Sequence, residues 1–89
     1  MLKLNRHKQF LKDFSKQTLS EQHYAKYIVY LSKLIQEEPL PLEALDHSLK
    51  AEWNGYREFH ISGDVLVIYK LTTDTLILAR IGSHSELFR

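Results

Sequence analysis

The sequence predicts an α+β domain of the order β-α-α-β-β-β, with two N-terminal helices packed on one face of a four-stranded, mainly antiparallel sheet. Apolar residues recur every three or four positions as far as about Gln36, and two prolines follow at Pro39 and Pro41. Beyond the prolines, apolar residues recur at nearly every second position, as in a β-strand. Helices and strands that are segregated along a chain favour this layered architecture, with the second sheet face left open. A chain of 89 residues has room for one such domain, over residues 1–89.

The N-terminal half carries the helical patterns. Residues 1–4 predict a short first strand, and residues 6–16 predict an amphipathic helix with its apolar side at Phe10, Leu11 and Phe14. A second, longer helix is predicted over residues 21–36, because Thr18 and Glu21 have the spacing of a capping box. Its apolar residues recur every three or four positions: Tyr24, Tyr27, Ile28, Leu31, Leu34 and Ile35.

The C-terminal half carries the strand patterns. Three strands are predicted at residues 52–61, 65–71 and 75–81, since the last two are rich in β-branched and large apolar residues. Residues 62–64 and 72–74 have the composition of tight turns, so the three strands should form an antiparallel meander.

Composition excludes several classes of protein. There is no cysteine, which rules out disulfides and thiolate metal sites. No apolar run approaches the ~18 residues of a membrane span, so we expect a cytoplasmic protein with no membrane partner. The first 16 residues hold five basic residues and one acid, and Lys8, Lys12 and Lys16 share one helical stripe. That stripe is consistent with contact to a phosphate backbone or with a solvated helix face.

Three of the five histidines lie where the predicted strands begin or end. His47 precedes the meander, His60 ends its first strand and His84 follows its last. Histidine exchanges protons near neutral pH, so these residues predict acid–base chemistry. Asp64 lies across a tight turn from His60, and we expect all four side chains to converge at one end of the sheet. Gly82 should allow the backbone to turn sharply before His84.

Other residues of the strands have structural or binding interpretations. Arg80 shares strand parity with Leu76 and Leu78 and is a candidate phosphate ligand on the open face. Arg57 has the opposite parity to His60 and should point away. Structural interpretations stay open as well: strand-end histidines often bond only to backbone, and packing is the expected role of three aromatic residues, Trp53, Tyr56 and Tyr69.

Four segments of the chain together resemble the YafQ branch of the RelE-type bacterial toxins. They are DHSLK at 46–50, WNGYREFH at 53–60, DVLVIYK at 64–70 and RIGSHSELF at 80–88. The basic N-terminus, the long second helix and the two prolines match as well, so the likeness covers almost the whole chain. The resemblance implies a RelE-like fold and a ribosome-dependent endoribonuclease that cuts mRNA in the A site, without metal or other cofactor. The reaction would be attack of a 2′-OH on the adjacent phosphate.

The resemblance also implies roles for individual residues. His84 matches the proton donor to the leaving oxygen, while His47 and His60 match the two histidines that act as base or stabilise the phosphate, in an order that stays open. Asp64 matches the family's acidic residue, and Phe88 matches an aromatic that holds a nucleobase. One departure is Val65, which stands where the best-known relative has an aromatic ring, and it affects the expected codon preference more than catalysis.

The implied partners are the ribosome with its A-site mRNA and a cognate antitoxin. That antitoxin would be DinJ- or RelB-like, of the ribbon-helix-helix type, and the toxin would reach operator DNA only through it. Two alternatives compete with this interpretation. One is a non-enzymatic ParE-like toxin that inhibits a protein such as DNA gyrase, although that branch typically lacks the histidines. The other is a metal-dependent hydrolase with three histidines and an aspartate as ligands, although no pair of them has helical spacing.

Overall fold

The chain folds as three α-helices and five strands within residues 1–88, the part that the computed structural model describes. In chain order the elements are β1 (Lys3–Arg6), α1 (Lys8–Lys16), α2 (Glu21–Ile35), β2 (His47–Ser48), β3 (Arg57–His60), β4 (Leu66–Leu71), β5 (Thr75–Gly82) and α3 (His84–Leu87). The predicted α+β class is confirmed.

The strands form one mixed sheet in the order β1-β5-β4-β3-β2. β1 runs parallel to β5, and every other pair in the sheet is antiparallel. The prediction of four strands missed β2, a two-residue strand in which His47 and Ser48 pair with Glu58 and Arg57. A strand this short leaves no periodic pattern in the sequence.

The boundaries of two predicted elements differ from the structure. The cap of α2 is Ser20, whose side chain accepts a hydrogen bond from the His23 N–H, and not Thr18 as the capping-box spacing predicted. The first meander strand begins only at Arg57, because residues 51–53 form a 3₁₀ turn and Gly55 has a φ of 91°. A backbone with positive φ interrupts strand pairing and suits glycine.

The main hydrophobic core lies between the two long helices and one face of the sheet. Phe10 of α1 and Tyr27 and Leu31 of α2 pack there. The sheet contributes the alternate residues Phe59, Val67, Tyr69, Leu76, Leu78 and Ile81. Complete burial of one large apolar side chain stabilises a fold by about 1.5–3 kcal/mol, and this core therefore fixes which residues of each strand face away from the helices.

The second sheet face is partly covered and not open as predicted. A smaller cluster of Leu66, Ile68, Ala79 and Leu87 is buried on it. Four half-buried residues from the loops and the C-terminal segment pack around this cluster: Leu49, Trp53, Tyr56 and Phe88. We call this side of the sheet the distal face.

Strand register aligns the candidate residues in two rows across the distal face. The first row joins His60, Leu66 and Gly82, and the second joins His47, Glu58, Ile68 and Arg80. A register shift between Ile68 and Tyr69 places Arg80 opposite Ile68. Strand parity alone would place Arg80 on the same face as Leu76 and Leu78, which face the helices. That argument was wrong for Arg80, because the β-bulge moves its side chain to the distal face.

None of the helices formed by residues 1–88 is both long and apolar enough to cross a membrane.

Candidate active site

Two of the predicted histidines converge on one carboxylate that the sequence analysis did not identify. His60 Nε2 lies 2.7 Å from Glu58 Oε2, and His47 Nε2 lies 3.7 Å from the same oxygen. Glu58 is only 3% exposed, whereas the side chains of His60 and His47 are 21% and 55% exposed. The histidines thus stand between a buried anion and solvent.

Strand geometry explains this convergence. Residues two apart on a strand share a face, which brings His60 beside Glu58, and directly opposed residues of antiparallel strands also share a face. His47 is the cross-strand partner of Glu58.

The hydrogen bonds assign protons to the ring nitrogens. His47 Nδ1 lies 2.7 Å from the Leu45 carbonyl oxygen, and because a carbonyl only accepts, Nδ1 carries the proton. In the neutral ring Nε2 is then unprotonated, as a general base must be, and the His47 side chain as a whole is 55% exposed. His60 has its Nε2 proton directed at the Glu58 carboxylate.

His84 stands at the first position of α3, just beyond the row that contains His60. Ser83 caps α3 through a capping box with Glu86, and the exposed His84 ring stacks on Phe88 one turn later, with ring centroids 4.7 Å apart. The chain passes from β5 to α3 across Ser83 alone, and Gly82 makes this change of direction without a positive φ. Its lack of a Cβ matters instead for close packing, since a Cβ would lie 3.0 Å from Glu86 Oε1 and 3.3 Å from Leu87 Cδ2.

Asp64 does not join the histidines through a hydrogen bond. It is exposed in the turn between β3 and β4, where its backbone N–H donates to Ser62 Oγ. Within residues 1–88, the acid beside His60 is Glu58. No hydrogen bond or ion pair joins the Asp64 side chain to His60 within residues 1–88: Asp64 is exposed in the turn, while the strand places Glu58 on the face of His60.

Arg80 is bound by a second buried acid, Asp13 of α1. Arg80 Nε and Nη2 donate to the two Asp13 oxygens at 2.8 and 3.0 Å, and the Ile81 N–H and Gln9 Nε2 complete the set at 3.2 and 2.9 Å. Burial acts to raise the pKa of Asp13, but the hydrogen bonds from Arg80, Gln9 and Ile81 outweigh it and lower that pKa. The bond to Asp13 raises the pKa of Arg80.

Arg57 points away from His60, as its parity predicted. Its Nε donates to Asp46 Oδ1 at 3.2 Å and lies 3.3 Å from the Tyr69 hydroxyl, which itself donates to Asp46 Oδ1 at 2.5 Å. Burial opposes the positive charge of Arg57, but Tyr69 and Asp46 outweigh it and raise the pKa of Arg57. This group lies on the helix side of the sheet.

The remaining candidates lie where the sequence placed them. Trp53 and Tyr56 pack edge to face, with centroids 5.2 Å apart, and Tyr69 is fully buried in the core. The three lysines of α1, Lys8, Lys12 and Lys16, are all exposed. Among residues 1–88, no three His, Asp or Glu side chains are grouped so that they could hold one metal ion.

Both buried acids were missed by the sequence analysis, for related reasons. Glu58 sits two residues before His60 in a strand, and this spacing was the available signal that they share a face. Asp13 was counted only as the one acid among basic residues, and nothing in the sequence connects it with Arg80, 67 residues later. That contact depends on tertiary packing of α1 against β5.

Comparisons with known proteins match this chain to one family. The profile described as "Bacterial toxin of type II toxin-antitoxin system, YafQ" matches residues 2–89. A YafQ toxin from Haemophilus influenzae is 36% identical over 92 residues, covering 96% of this chain and 90% of that protein. A protein from Escherichia coli named mRNA interferase toxin YafQ is 44% identical over 61 residues, which is 66% of each chain.

Solved structures agree with the sequence comparisons. YafQ in the DinJ–YafQ complex of E. coli superimposes with a TM-score of 0.86 at 33% identity over the full length of both chains. A copper-bound mutant toxin from Helicobacter pylori gives a TM-score of 0.85 at 44% identity, covering 99% of this chain and all of that one. With sequence and fold in agreement, the chain belongs to the YafQ family of toxins of bacterial type II toxin–antitoxin systems.

Proposed function

We propose that this toxin is an endoribonuclease that cuts mRNA in the ribosomal A site through attack of a 2′-OH on the adjacent phosphate. The observation that carries the proposal is the convergence of His47 and His60 on the buried Glu58, on the sheet face where α3 presents His84. Acid–base catalysis needs two proton-transfer groups on either side of the reacting phosphate. Relatives named mRNA interferase supply the substrate class.

His47 is the base in this proposal. Its Nδ1 proton is held by the Leu45 carbonyl, which leaves Nε2 to take the proton of the 2′-OH. The 2′ oxygen then forms a bond to phosphorus while the bond from phosphorus to the 5′ oxygen breaks.

His84 is the acid that gives a proton to the departing 5′ oxygen. The products are a 2′,3′-cyclic phosphate and a 5′-OH, so atoms and charge balance without an external reagent. His84 is exposed at the start of α3, where substrate can reach its ring.

His60 and Glu58 stabilise charge. The 2.7 Å hydrogen bond between His60 Nε2 and the Glu58 carboxylate holds the imidazole in place, and in this proposal that ring stabilises the negative charge that develops on the phosphate. Asp64 lies at the exposed turn beside β4, from which it would contact bound RNA or orient an imidazole once substrate is present.

Phe88 and Arg80 hold the substrate in this proposal. The Phe88 ring is half-buried beside the His84 ring and, together with Trp53, borders a depression of about 140 Å³. Stacking of a base on an aromatic ring is worth about 1–3 kcal/mol. Arg80 keeps 29% of its side chain exposed beside Asp13, which leaves part of it accessible to a phosphate.

The partners follow from the family. The complex of YafQ with DinJ supports a DinJ-like antitoxin as partner, and through its DNA-binding region that antitoxin would connect the toxin to operator DNA. The exposed lysine stripe on α1 would contact ribosomal RNA.

The direct test is His84→Ala, assayed for cleavage of mRNA on programmed ribosomes and for growth arrest. Removal of a general acid lowers the rate about 10²–10⁴-fold, so we expect high expression without growth arrest and an unchanged circular dichroism spectrum. The matched control is His7→Ala, since His7 is an exposed histidine whose side chain makes no capping bond. A His84→Ala protein that still cuts mRNA and arrests growth would remove His84 from the role of acid.

A further inference from the structure

We infer that Asp46, held by Tyr69 and Arg57, is a positioning residue that fixes the ring of His47 for proton abstraction. This inference rests on the proposed function, because it concerns the residue proposed as base. Asp46 and His47 are consecutive, and their side chains lie on opposite sides of the sheet: Asp46 on the helix side and His47 on the distal face. Fixing one side chain therefore fixes the direction of the next.

The helix-side contacts are rigid. Tyr69 is 0% exposed and belongs to the main core, and its hydroxyl donates to Asp46 Oδ1. Arg57, its cross-strand neighbour, donates to the same oxygen. Burial, reinforced by Asp46, raises the pKa of Tyr69, so the hydroxyl stays a donor at physiological pH.

The backbone beside Asp46 needs such support. Leu45 has a φ of 51°, in the left-handed region that costs a residue with a Cβ about 1–2 kcal/mol. Its carbonyl is the acceptor for His47 Nδ1. The side chain of Leu45 is exposed, so hydrogen bonds hold this segment: the Leu45 N–H donates to the Leu42 carbonyl oxygen, and Tyr69 and Arg57 bind Asp46 on the next residue.

A purely structural role would not require the tyrosine hydroxyl. A phenylalanine would fill the same core volume, and burial of a hydroxyl costs free energy unless it is hydrogen-bonded. The bond to Asp46 offsets that cost and connects the core directly to the segment that carries His47.

The test compares Tyr69→Phe with Tyr30→Phe in single-turnover cleavage of ribosome-bound mRNA. Tyr30 is a buried core tyrosine whose hydroxyl has no hydrogen-bond partner among residues 1–88; the Glu43 carboxylate helps to raise the pKa of Tyr30 without meeting hydrogen-bond geometry. Loss of a group that orients a reacting residue typically costs 10–100-fold. We expect Tyr69→Phe to lower the rate at saturation about tenfold with KM unchanged, and Tyr30→Phe to leave both unchanged.

A double-mutant cycle separates positioning from general destabilisation. In a His47→Ala background, Tyr69→Phe should cause no further loss, because there is no ring left to orient. Asp46→Ala should lose as much activity as Tyr69→Phe, while Asp46→Asn, which keeps an acceptor oxygen, should lose less. Full activity of Tyr69→Phe, or an additional tenfold loss without His47, would overturn the inference.

Nitrogen NMR of the His47 ring provides a readout that does not depend on activity. The wild-type protein should show His47 as the Nδ1–H tautomer, and Tyr69→Phe should shift it toward a mixture of tautomers. If the wild-type protein does not cut mRNA but Tyr69→Phe still shifts the His47 tautomer, the proposed function is wrong and the positioning contact stands. An unchanged tautomer in Tyr69→Phe would contradict the positioning contact itself.

Discussion

Two carboxylates are buried among the described residues, and they are surrounded in different ways. Asp13, 9% exposed, accepts hydrogen bonds from Arg80, Gln9 and the Ile81 N–H. Glu58, 3% exposed, has two histidine rings as its ionisable neighbours. Asp13 joins α1 to β5 through its hydrogen bonds with Arg80 and Ile81. Glu58 lies within strand β3, and its side chain is on the distal face.

The difference distinguishes a structural carboxylate from one suited to catalysis. The guanidinium beside Asp13 is charged at all physiological pH values, so that ion pair is permanent. The groups beside Glu58 are imidazoles, the side-chain type suited to proton transfer near neutral pH, so they can take part in the proposed reaction. Substitutions at the two sites should therefore affect different measurements.

Of the substitutions that test this difference between the two carboxylates, Glu58→Gln has the largest expected effect, which is on cleavage. Glutamine keeps the size of the side chain but removes the carboxylate that binds His60 and lies beside His47, and we expect cleavage of ribosome-bound mRNA to fall about 10–100-fold. Glu52→Gln, at an exposed glutamate, is the matched control. Wild-type cleavage by Glu58→Gln would mean that Glu58 is as structural as Asp13.

The next largest effect is on stability by Asp13→Ala. Removing one member of a buried ion pair typically costs 3–5 kcal/mol, but Arg80 keeps 29% of its side chain exposed and water can replace part of the lost contact. We expect a loss of about 2 kcal/mol in urea unfolding. Asp64→Ala, at an exposed aspartate, should stay within about 0.5 kcal/mol, and equal losses in the two variants would refute the structural role.

A smaller effect is the pH dependence of the Asp13 contribution. The folded-state pKa of Asp13 lies below its ordinary value of 3.8, so its stabilisation is fully present above that value and is lost as the pH falls through the folded pKa. The difference in unfolding free energy between wild type and Asp13→Asn should stay constant above about pH 5 and shrink below about pH 4. A difference that grows on acidification would contradict this sign.

The smallest effect on the chemical step is expected from the exposed lysine stripe of α1, formed by Lys8, Lys12 and Lys16. Reversing their charge should weaken association with ribosomes and lower its salt dependence, by about one unit of slope for each lysine that contacts a phosphate. Cleavage of saturated ribosomes should be unchanged. The control is Lys33→Glu on α2, and unchanged cosedimentation of the triple variant would refute the RNA contact.

The sequence alone predicted most of the fold and part of the candidate site. The period change near Pro39 and Pro41 predicted the helices and the meander, because amphipathic spacing is a local property. The predicted ends of the meander strands placed His60 and His84 at one end of the sheet. Strand β2 has two residues and leaves no pattern, yet its pairing brings His47 opposite Glu58.

The errors share a physical cause, which is that tertiary contacts and backbone irregularities are not periodic. Arg80 lies on the predicted face of the sheet because of the bulge in β5 and not because of strand parity, and α1 supplied Asp13 to it from 67 residues away. The turn at 62–64 carries Asp64 outward, whereas Glu58, inside a regular strand, was the acid that local spacing already placed beside His60.

The most direct test of the central claim is the chemistry of the RNA ends that the wild-type toxin leaves on programmed ribosomes in the presence of EDTA. Catalysis by His47 and His84 predicts cleavage that persists in EDTA, with a 2′,3′-cyclic phosphate upstream and a 5′-OH downstream. Cleavage that EDTA abolishes, with a 3′-OH and a 5′-phosphate, would show that a metal-activated water is the nucleophile. No cleavage at all would indicate a toxin that acts by binding, and either of these results would contradict the assignment of the histidine-bearing distal face as the catalytic centre.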